Sequence, residues 1–117
     1  VIDLMASQVD VEDKGGTMRL GAYPCKVQKD TNTFAAYGQE MISERHRHRY
    51  EFNSDFRAAY ENAGMKCVGT NPETDLVEIV EIPNHKWYIG TQFHPEYSST
   101  VLKPHALFLS FVKACQK

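Results

Sequence analysis

Residues 76–96 read LVEIVEIPNHKWYIGTQFHPE, and this stretch is the most informative about the fold. Residues 76–82 and 87–93 are two runs rich in β-branched and aromatic residues, the composition typical of strands. The four residues between them, PNHK, carry turn-forming side chains. The stretch therefore predicts a β-hairpin whose second strand ends at a histidine, a proline and a glutamate.

The rest of the chain supplies further strands and two helices. Residues 18–27 are predicted to form an extended segment that is bent or ended at Pro24, and residues 65–70 a short strand. Residues 31–33 are predicted to form a turn. Residues 34–41 are ambiguous and could form a short helix. One helix is expected to follow Ser54 and stop at Gly64, and another to span residues 104–115. The buried residues predicted for these two helices are Phe56, Ala59, Tyr60 and Ala63, and Leu107, Phe108, Phe111 and Cys115. Strands flanked by helices predict an α/β or α+β layered fold.

Composition limits the class of protein. The chain has 117 residues, of which 42% are hydrophobic and 24% charged, so we expect residues 1–117 to form one domain or a large piece of one. A net charge of -2 gives no general reason to bind nucleic acid or an anionic membrane. We find no signal-peptide pattern and no apolar run of membrane-spanning length. Because the chain begins with Val1, in mid-pattern, it looks truncated.

The end of the predicted hairpin carries the most informative chemistry. In extended backbone, side chains at i and i+2 point the same way, so Glu96 is expected to lie beside His94. Pro95 fixes its own φ and favours an extended His94, which stiffens this geometry. An imidazole oriented by a carboxylate can act as a general base, but it then requires a nucleophile. The same spacing also occurs in surface pairs and loop contacts, so on these residues alone both interpretations stay open.

A second unusual segment is the basic run RHRHR at residues 45–49. If it is a strand, His46 and His48 share one side, as metal ligands could, and the arginines form a basic stripe suited to phosphates. The sequence places no further metal ligand beside the two histidines, and we predict no metal site. A solvated basic face or a set of structural ion pairs remains the alternative.

Several motifs together resemble one family. TQFHPE at residues 91–96, followed by YSS, resembles the His-x-Glu end of class I glutamine amidotransferases. GGTMRLG at 15–21, ERHRHRYE at 44–51 with Asn53, and LVEI at 76–79 running through PNH to Trp87 narrow the resemblance to the CTP synthase family. The match follows order and spacing along almost the whole chain. It implies an α/β, three-layer amidotransferase domain, of which this chain would be the C-terminal portion.

The resemblance implies roles for six residues. His94 is similar to the general base and acid of the family's Cys-His-Glu triad, and Glu96 to its orienting carboxylate. Arg49 resembles the residue that holds the substrate L-glutamine, with the backbone of Tyr50 close by. A guanidinium suits this task because it offers a bidentate fork to the α-carboxylate. Thr17 and Arg19, in GGTMRLG, are candidate contacts to GTP, the family's allosteric activator.

The cysteine of the triad is the part we do not find. In this family it lies on a tight strand-to-helix turn flanked by glycines, because only small neighbours permit that backbone. Cys25, Cys67 and Cys115 lack such a setting, and we expect each to be a reduced, buried, apolar residue. The nucleophile is therefore expected upstream of Val1, and this chain alone is expected to be inactive.

The resemblance also implies the wider reaction. Ammonia released from glutamine would aminate UTP to CTP in a synthetase half that binds ATP and Mg²⁺, while no cofactor is expected in this chain. The partners implied are the rest of the amidotransferase domain and the synthetase domain, within a cytoplasmic enzyme that forms a homotetramer. Two alternatives remain: another class I amidotransferase or related hydrolase, and a non-catalytic binding module of the same fold.

Overall fold

The structure, a computed structural model, describes residues 2–4 and 19–116. The side chains of residues 3, 4 and 19 are not described. Within these ranges the strands are β1 Ile2–Leu4, β2 Arg19–Val27, β3 Met41–His48, β4 Tyr50–Phe52, β5 Lys66–Thr70, β6 Val77–Glu81 and β7 Ile89–Thr91. The α-helices are α1 Asn32–Tyr37, α2 Arg57–Asn62 and α3 Ala106–Cys115, and two short 3₁₀ helices span Ser54–Phe56 and Pro95–Ser98.

Five strands form one sheet in the order β3-β2-β5-β6-β7, and every neighbouring pair in it is antiparallel. The predicted hairpin is confirmed, because β6 and β7 pair directly, with Ile79 opposite Thr91 and Glu81 opposite Ile89. Both strands are shorter than predicted. Among the described residues, β1 and β4 form a separate antiparallel pair.

The predicted strand over residues 18–27 is confirmed from Arg19 onwards, but Pro24 does not end it. Pro24 lies within β2, opposite Ser43 of β3. On its other side, β2 pairs with β5 only at Lys26 and Val27. Over most of its length β2 thus has one strand neighbour among the described residues, and a residue without a backbone N–H is tolerated in such an edge position.

The core divides into two clusters on opposite faces of the sheet. Adjacent residues of β5 show this, because Cys67 belongs to one cluster and Val68 to the other, and successive strand side chains point to opposite faces. The larger cluster extends from the sheet to α1 and α3 through Phe34 and Leu107. The smaller one includes Phe52 of β4, with Tyr60 of α2 packed against it. Helices α1 and α3, the sheet, and α2 with β4 therefore form three layers.

Residues 31–33, predicted as a turn, instead begin α1. The Thr31 side chain caps the helix by accepting a hydrogen bond from the backbone N–H of Phe34 at 3.0 Å. The helix ends at Gly38, whose φ of 73° is left-handed. Thr33 is fully buried, and both its N–H and its hydroxyl donate to the carboxylate of Glu81. This contact ties α1 to the end of β6.

The prediction for the helix after Ser54 is partly wrong. Asn53, not Ser54, provides the cap, accepting from the N–H of Asp55 at 3.0 Å, and a 3₁₀ turn precedes α2. None of the residues of α2 is buried. Of the apolar face predicted for this segment, Tyr60 is the member that packs against the core, while Phe56 is 43% exposed.

Helix α3 lies where residues 104–115 predicted it, but its predicted buried stripe is wrong except at Leu107. Phe108 and Phe111 are 41% and 49% exposed, and Cys115 is exposed as well. Helix α3 packs on α1, but its sequence is apolar on more than one side, and part of that apolar surface is exposed. None of the helices described is long and apolar enough to cross a membrane.

Candidate active site

The site is built on the turn that follows β7. After Thr91 the chain leaves the sheet, buries Phe93, and reaches His94 at the start of the 3₁₀ helix Pro95–Ser98. The backbone N–H of His94 donates to the carbonyl oxygen of Arg45 in β3 at 2.9 Å. Pro95 occupies the first turn, where a missing N–H costs least. The turn is therefore held to β3 by main-chain contacts.

His94 and Glu96 form the hydrogen-bonded pair that their spacing predicts. His94 Nδ1 lies 2.6 Å from Glu96 Oε1, and the two side chains are 37% and 54% exposed. The route to this contact differs from the prediction, because the strand ends at Thr91 and Glu96 lies in the 3₁₀ helix. The extended conformation of His94 followed by one helical step brings the carboxylate back to the ring.

This pair has the electrostatics of a base and its orienter. The hydrogen bond from His94 holds the pKa of the Glu96 carboxyl below its usual value, with a further hydrogen bond to backbone acting in the same direction. An ionised Glu96 accepts a hydrogen bond from the Nδ1–H of His94, so in the neutral ring Nε2 keeps its lone pair. That nitrogen is then the one able to take a proton from a nucleophile.

Tyr97 is a neighbour of the pair that the sequence interpretation missed. Its ring stacks on the His94 ring, with centroids 4.9 Å apart and planes 14° from parallel. Side chains three residues apart eclipse one another in a 3₁₀ helix, which accounts for the stacking. The spacing of His94 and Tyr97 was the available signal, but only a 3₁₀ turn makes it a contact.

A second acid, the buried Glu44, contacts the far end of the turn. Ser98, the last residue of the 3₁₀ helix, donates to Glu44 of β3 at 3.4 Å. Glu44 also accepts from Tyr37 and from His105 Nε2. The His105 Nδ1 accepts from the N–H of Leu107, so Nε2 carries the proton. Burial, and then Glu44, raise the pKa of Tyr37, which keeps that hydroxyl a donor.

The basic run forms β3, and its side chains alternate as a strand requires. Ile42, Glu44 and His46 are buried, whereas Arg45 and Arg47 are exposed. The arginines open onto a cavity of about 840 Å³ that also reaches Tyr97. The cavity is lined by Leu20, Gly21, Arg45, His46, Arg47, Arg49 and Tyr97. It therefore lies beside the ring on which His94 stacks.

Arg49 and Tyr50, the predicted substrate contacts, lie at the bend between β3 and β4. Arg49 lines the cavity, and its Nε is buried with no hydrogen-bond partner among the described residues. The carbonyl oxygen of Tyr50 lies 2.8 Å from His48 Nδ1, while the Tyr50 side chain is 51% exposed. The structure thus brings Arg49 to the cavity beside the His94–Tyr97 stack.

The predicted GTP contacts are only partly within the described residues. Thr17 lies outside them. The backbone of Arg19 begins β2 and pairs with His48 at the far end of β3. Both assignments stay predictions.

The histidines of the basic run contact each other. His46 Nδ1 lies 2.8 Å from His48 Nε2, and His46 Nε2 lies 2.8 Å from the Glu78 carboxylate. Across residues 2–4 and 19–116, no group of three or more candidate side chains has the geometry to hold a metal ion. His46 thus contacts a buried carboxylate, whereas Arg45 and Arg47 of the same strand are exposed.

Two of the three cysteines are buried as predicted. Cys25 belongs to the larger core cluster and Cys67 to the smaller one, and burial raises the pKa of the Cys67 thiol. A raised pKa and a buried sulfur both disfavour a nucleophilic thiolate. Cys115 is exposed, contrary to prediction, at the C-terminal end of α3.

Comparison with known proteins gives a consistent result. The family model "Glutamine amidotransferase class-I" matches residues 4–114. A CTP synthase of Bacteroides thetaiotaomicron is 69% identical over 97% of this chain and 21% of its own length. A CTP synthase of Porphyromonas gingivalis is 58% identical over 100% of the chain and 22% of its own. The chain thus spans about a fifth of the length of these curated relatives.

A solved structure agrees with the sequence matches. The glutaminase domain of Trypanosoma brucei CTPS with bound acivicin superposes with a TM-score of 0.85 at 32% identity. The match covers 97% of this chain and 45% of that one. The fold predicted from the resemblance, an α/β class I amidotransferase domain, is confirmed. The chain belongs to the class I glutamine amidotransferase family, and the relatives described above are CTP synthases.

Proposed function

We propose that this chain supplies the base, the orienting acid and the substrate arginine of a glutaminase site. The observation that carries the proposal is the 2.6 Å contact between His94 Nδ1 and Glu96, which leaves Nε2 as the reactive nitrogen. The pair is partly exposed and lies next to the arginine-lined cavity, as a site that binds a substrate must.

The reaction that fits is hydrolysis of L-glutamine through a thioester. A cysteine thiol gives its proton to His94 Nε2, and its sulfur attacks the carboxamide carbon. The imidazolium, steadied by Glu96, then protonates the leaving nitrogen, and ammonia departs. Water, deprotonated by His94, attacks the thioester and releases glutamate. We assign the thiol to a residue outside this sequence, because none of its three cysteines has a suitable setting.

Arg49 is proposed to bind the α-carboxylate of glutamine. A guanidinium in a cavity offers two parallel N–H donors to a carboxylate, which fixes orientation as well as affinity. The Arg49 Nε atom is buried and has no hydrogen-bond partner among the described residues, so it gains one when an anion binds. The backbone of Tyr50 is proposed to lie against the same end of the substrate.

The names of the relatives suggest the fate of the ammonia. In the intact protein we propose that it aminates UTP to CTP, in a part of the molecule that binds ATP and Mg²⁺. Activation by GTP through Thr17 and Arg19, a cytoplasmic location and a homotetramer remain predictions that belong to this proposal.

The test uses the intact protein that carries this sequence, with nitrogen supplied either as glutamine or as ammonium. We expect His94→Ala to lower glutamine-dependent CTP formation by about 10²- to 10⁴-fold, because it removes the general base. Ammonium-dependent formation should stay near the unmodified rate. His85→Ala, at an exposed histidine in the β6–β7 connection, is the matched control and should change neither. Equal loss with both nitrogen sources would give His94 a structural role instead.

A further inference from the structure

Three side chains form a row of contacts behind the bend that carries Arg49. His48 Nδ1 lies 2.8 Å from the carbonyl oxygen of Tyr50, and His48 Nε2 lies 2.8 Å from His46 Nδ1. At the other end, His46 Nε2 lies 2.8 Å from Glu78, and both of these side chains are fully buried. The row therefore runs from the interior of the sheet to the backbone of the bend.

The direction of the outermost bond is fixed by chemistry. A carbonyl oxygen only accepts, so His48 Nδ1 must carry a proton and donate it to Tyr50. If the His48 ring is neutral, its Nε2 accepts from His46; if it is charged, His46 accepts instead. In both arrangements the bond to Tyr50 is the same, and the Glu78 carboxylate lies 2.8 Å from the other ring nitrogen of His46.

The outermost bond of this row, from His48 to Tyr50, encloses Arg49. Strand β3 ends at His48 and β4 begins at Tyr50, so the ring-to-carbonyl bond closes over the one residue between them. Fixing the backbone on both sides of Arg49 limits the directions that its side chain can take into the cavity.

The inner end of the row is also joined to the catalytic turn. The carbonyl oxygen of Glu78 accepts from the N–H of Gln92 at 2.9 Å, two residues before His94. The His46 ring packs edge-on against Phe93, with centroids 5.8 Å apart. One set of buried groups therefore contacts both the segment that presents His94 and the bend that presents Arg49.

We infer that His48, supported by His46 and Glu78, is a positioning residue that holds the Arg49–Tyr50 bend in the orientation that binds glutamine. The inference rests on the proposed glutaminase function and deepens it. His48 does not touch the reacting atoms in this scheme. Its loss should therefore weaken the binding of glutamine more than it slows the chemical step.

The decisive experiment compares two substitutions of His48 in the intact protein. His48→Ala removes the bond to Tyr50, and we expect the KM for glutamine to rise about tenfold with kcat changed by about twofold or less. Asparagine can place an amide N–H near the position of the histidine Nδ1. His48→Asn should therefore restore most of the affinity. Ammonium-dependent activity should be unchanged in both variants, which a merely structural role would not predict.

Two controls make the result decisive. Ser43→Ala changes an exposed residue of the same strand and should leave the KM for glutamine unaltered. If His48→Ala also loses ammonium-dependent activity through misfolding, His48→Asn is compared with His48→Gln. The amide nitrogen of glutamine cannot occupy the Nδ1 position, so only His48→Gln should show the raised KM.

The outcomes separate this inference from the function on which it rests. An unchanged KM in His48→Ala, or equal KM values in His48→Asn and His48→Gln, overturns the positioning role. If His94→Ala, measured in parallel, keeps glutamine-dependent activity, the proposed function itself fails. Loss of that activity in His94→Ala together with a normal KM in His48→Ala removes the positioning inference alone.

Discussion

Histidine–glutamate pairs occur in two different settings among the described residues. In two pairs the side chains are no more than 6% exposed: His46–Glu78 and His105–Glu44. The side chains of His94–Glu96 are 37% and 54% exposed. The same two residue types thus join elements inside the fold in one setting and face solvent in the other, where we propose that they act on a substrate. Solvent access, not residue type, separates these two settings.

The energetics of the two settings differ for a physical reason. Removing one member of a buried ion pair leaves a charge or a polar group without a partner in a medium of low dielectric constant. Removing one member of an exposed pair lets water replace it, and exposed pairs contribute little to stability. The buried pairs should therefore control folding, and the exposed pair should control chemistry with little effect on folding.

The largest expected effect on stability is at Glu44. Glu44→Ala leaves Tyr37 and His105 without their shared acceptor, and we expect a loss of about 3–5 kcal/mol in the free energy of unfolding. Amide hydrogen exchange in β3 and α3 of the intact protein measures it locally. His94→Ala, its counterpart at the exposed pair, should stay within about 0.5 kcal/mol of the unmodified protein. Similar losses in both variants would erase the distinction between the two kinds of pair.

A smaller effect concerns the titration of Glu96. The hydrogen bond from His94 lowers the pKa of Glu96 in the folded protein, so ionisation of this carboxylate stabilises the folded state above the unfolded pKa. That contribution is lost as the pH falls through the folded pKa. In His94→Ala we expect the Glu96 pKa to rise towards its ordinary value, because the hydrogen bond that lowers it is lost. A carboxyl ¹³C NMR titration checks this, with His85→Ala as the variant that should leave the Glu96 pKa where it was.

The sequence predicted the parts of this fold that depend on local pattern. The β6–β7 hairpin follows from two apolar runs and a turn, and the alternation of β3 follows from the period of two in an extended chain. The pairing of His94 with Glu96 was predicted from their spacing, although the contact forms through a 3₁₀ step and not along an extended strand. These are properties of a few neighbouring residues.

The remaining features depend on contacts between distant residues. The exposure of Phe108 and Phe111 depends on how much of α3 another element covers, which helical periodicity does not encode. The Tyr97 stack needs a 3₁₀ turn, and apolar patterning does not distinguish it from other turns. Glu78 meets His46 from a strand more than thirty positions away, so no spacing in the sequence identifies it as the partner.

We propose that the exposed pair performs chemistry while the buried pairs maintain the fold. The rate of glutamate release and local hydrogen exchange, both measured in Glu96→Gln and Glu44→Gln versions of the intact protein, distinguish these two roles. Glu96→Gln should lower the rate at least tenfold with exchange in β3 unchanged, because the ring loses its charged orienter. Glu44→Gln should speed exchange in β3 and α3 while the folded fraction keeps most of its rate. A normal rate of glutamate release in Glu96→Gln would show that the exposed pair does not take part in the chemistry.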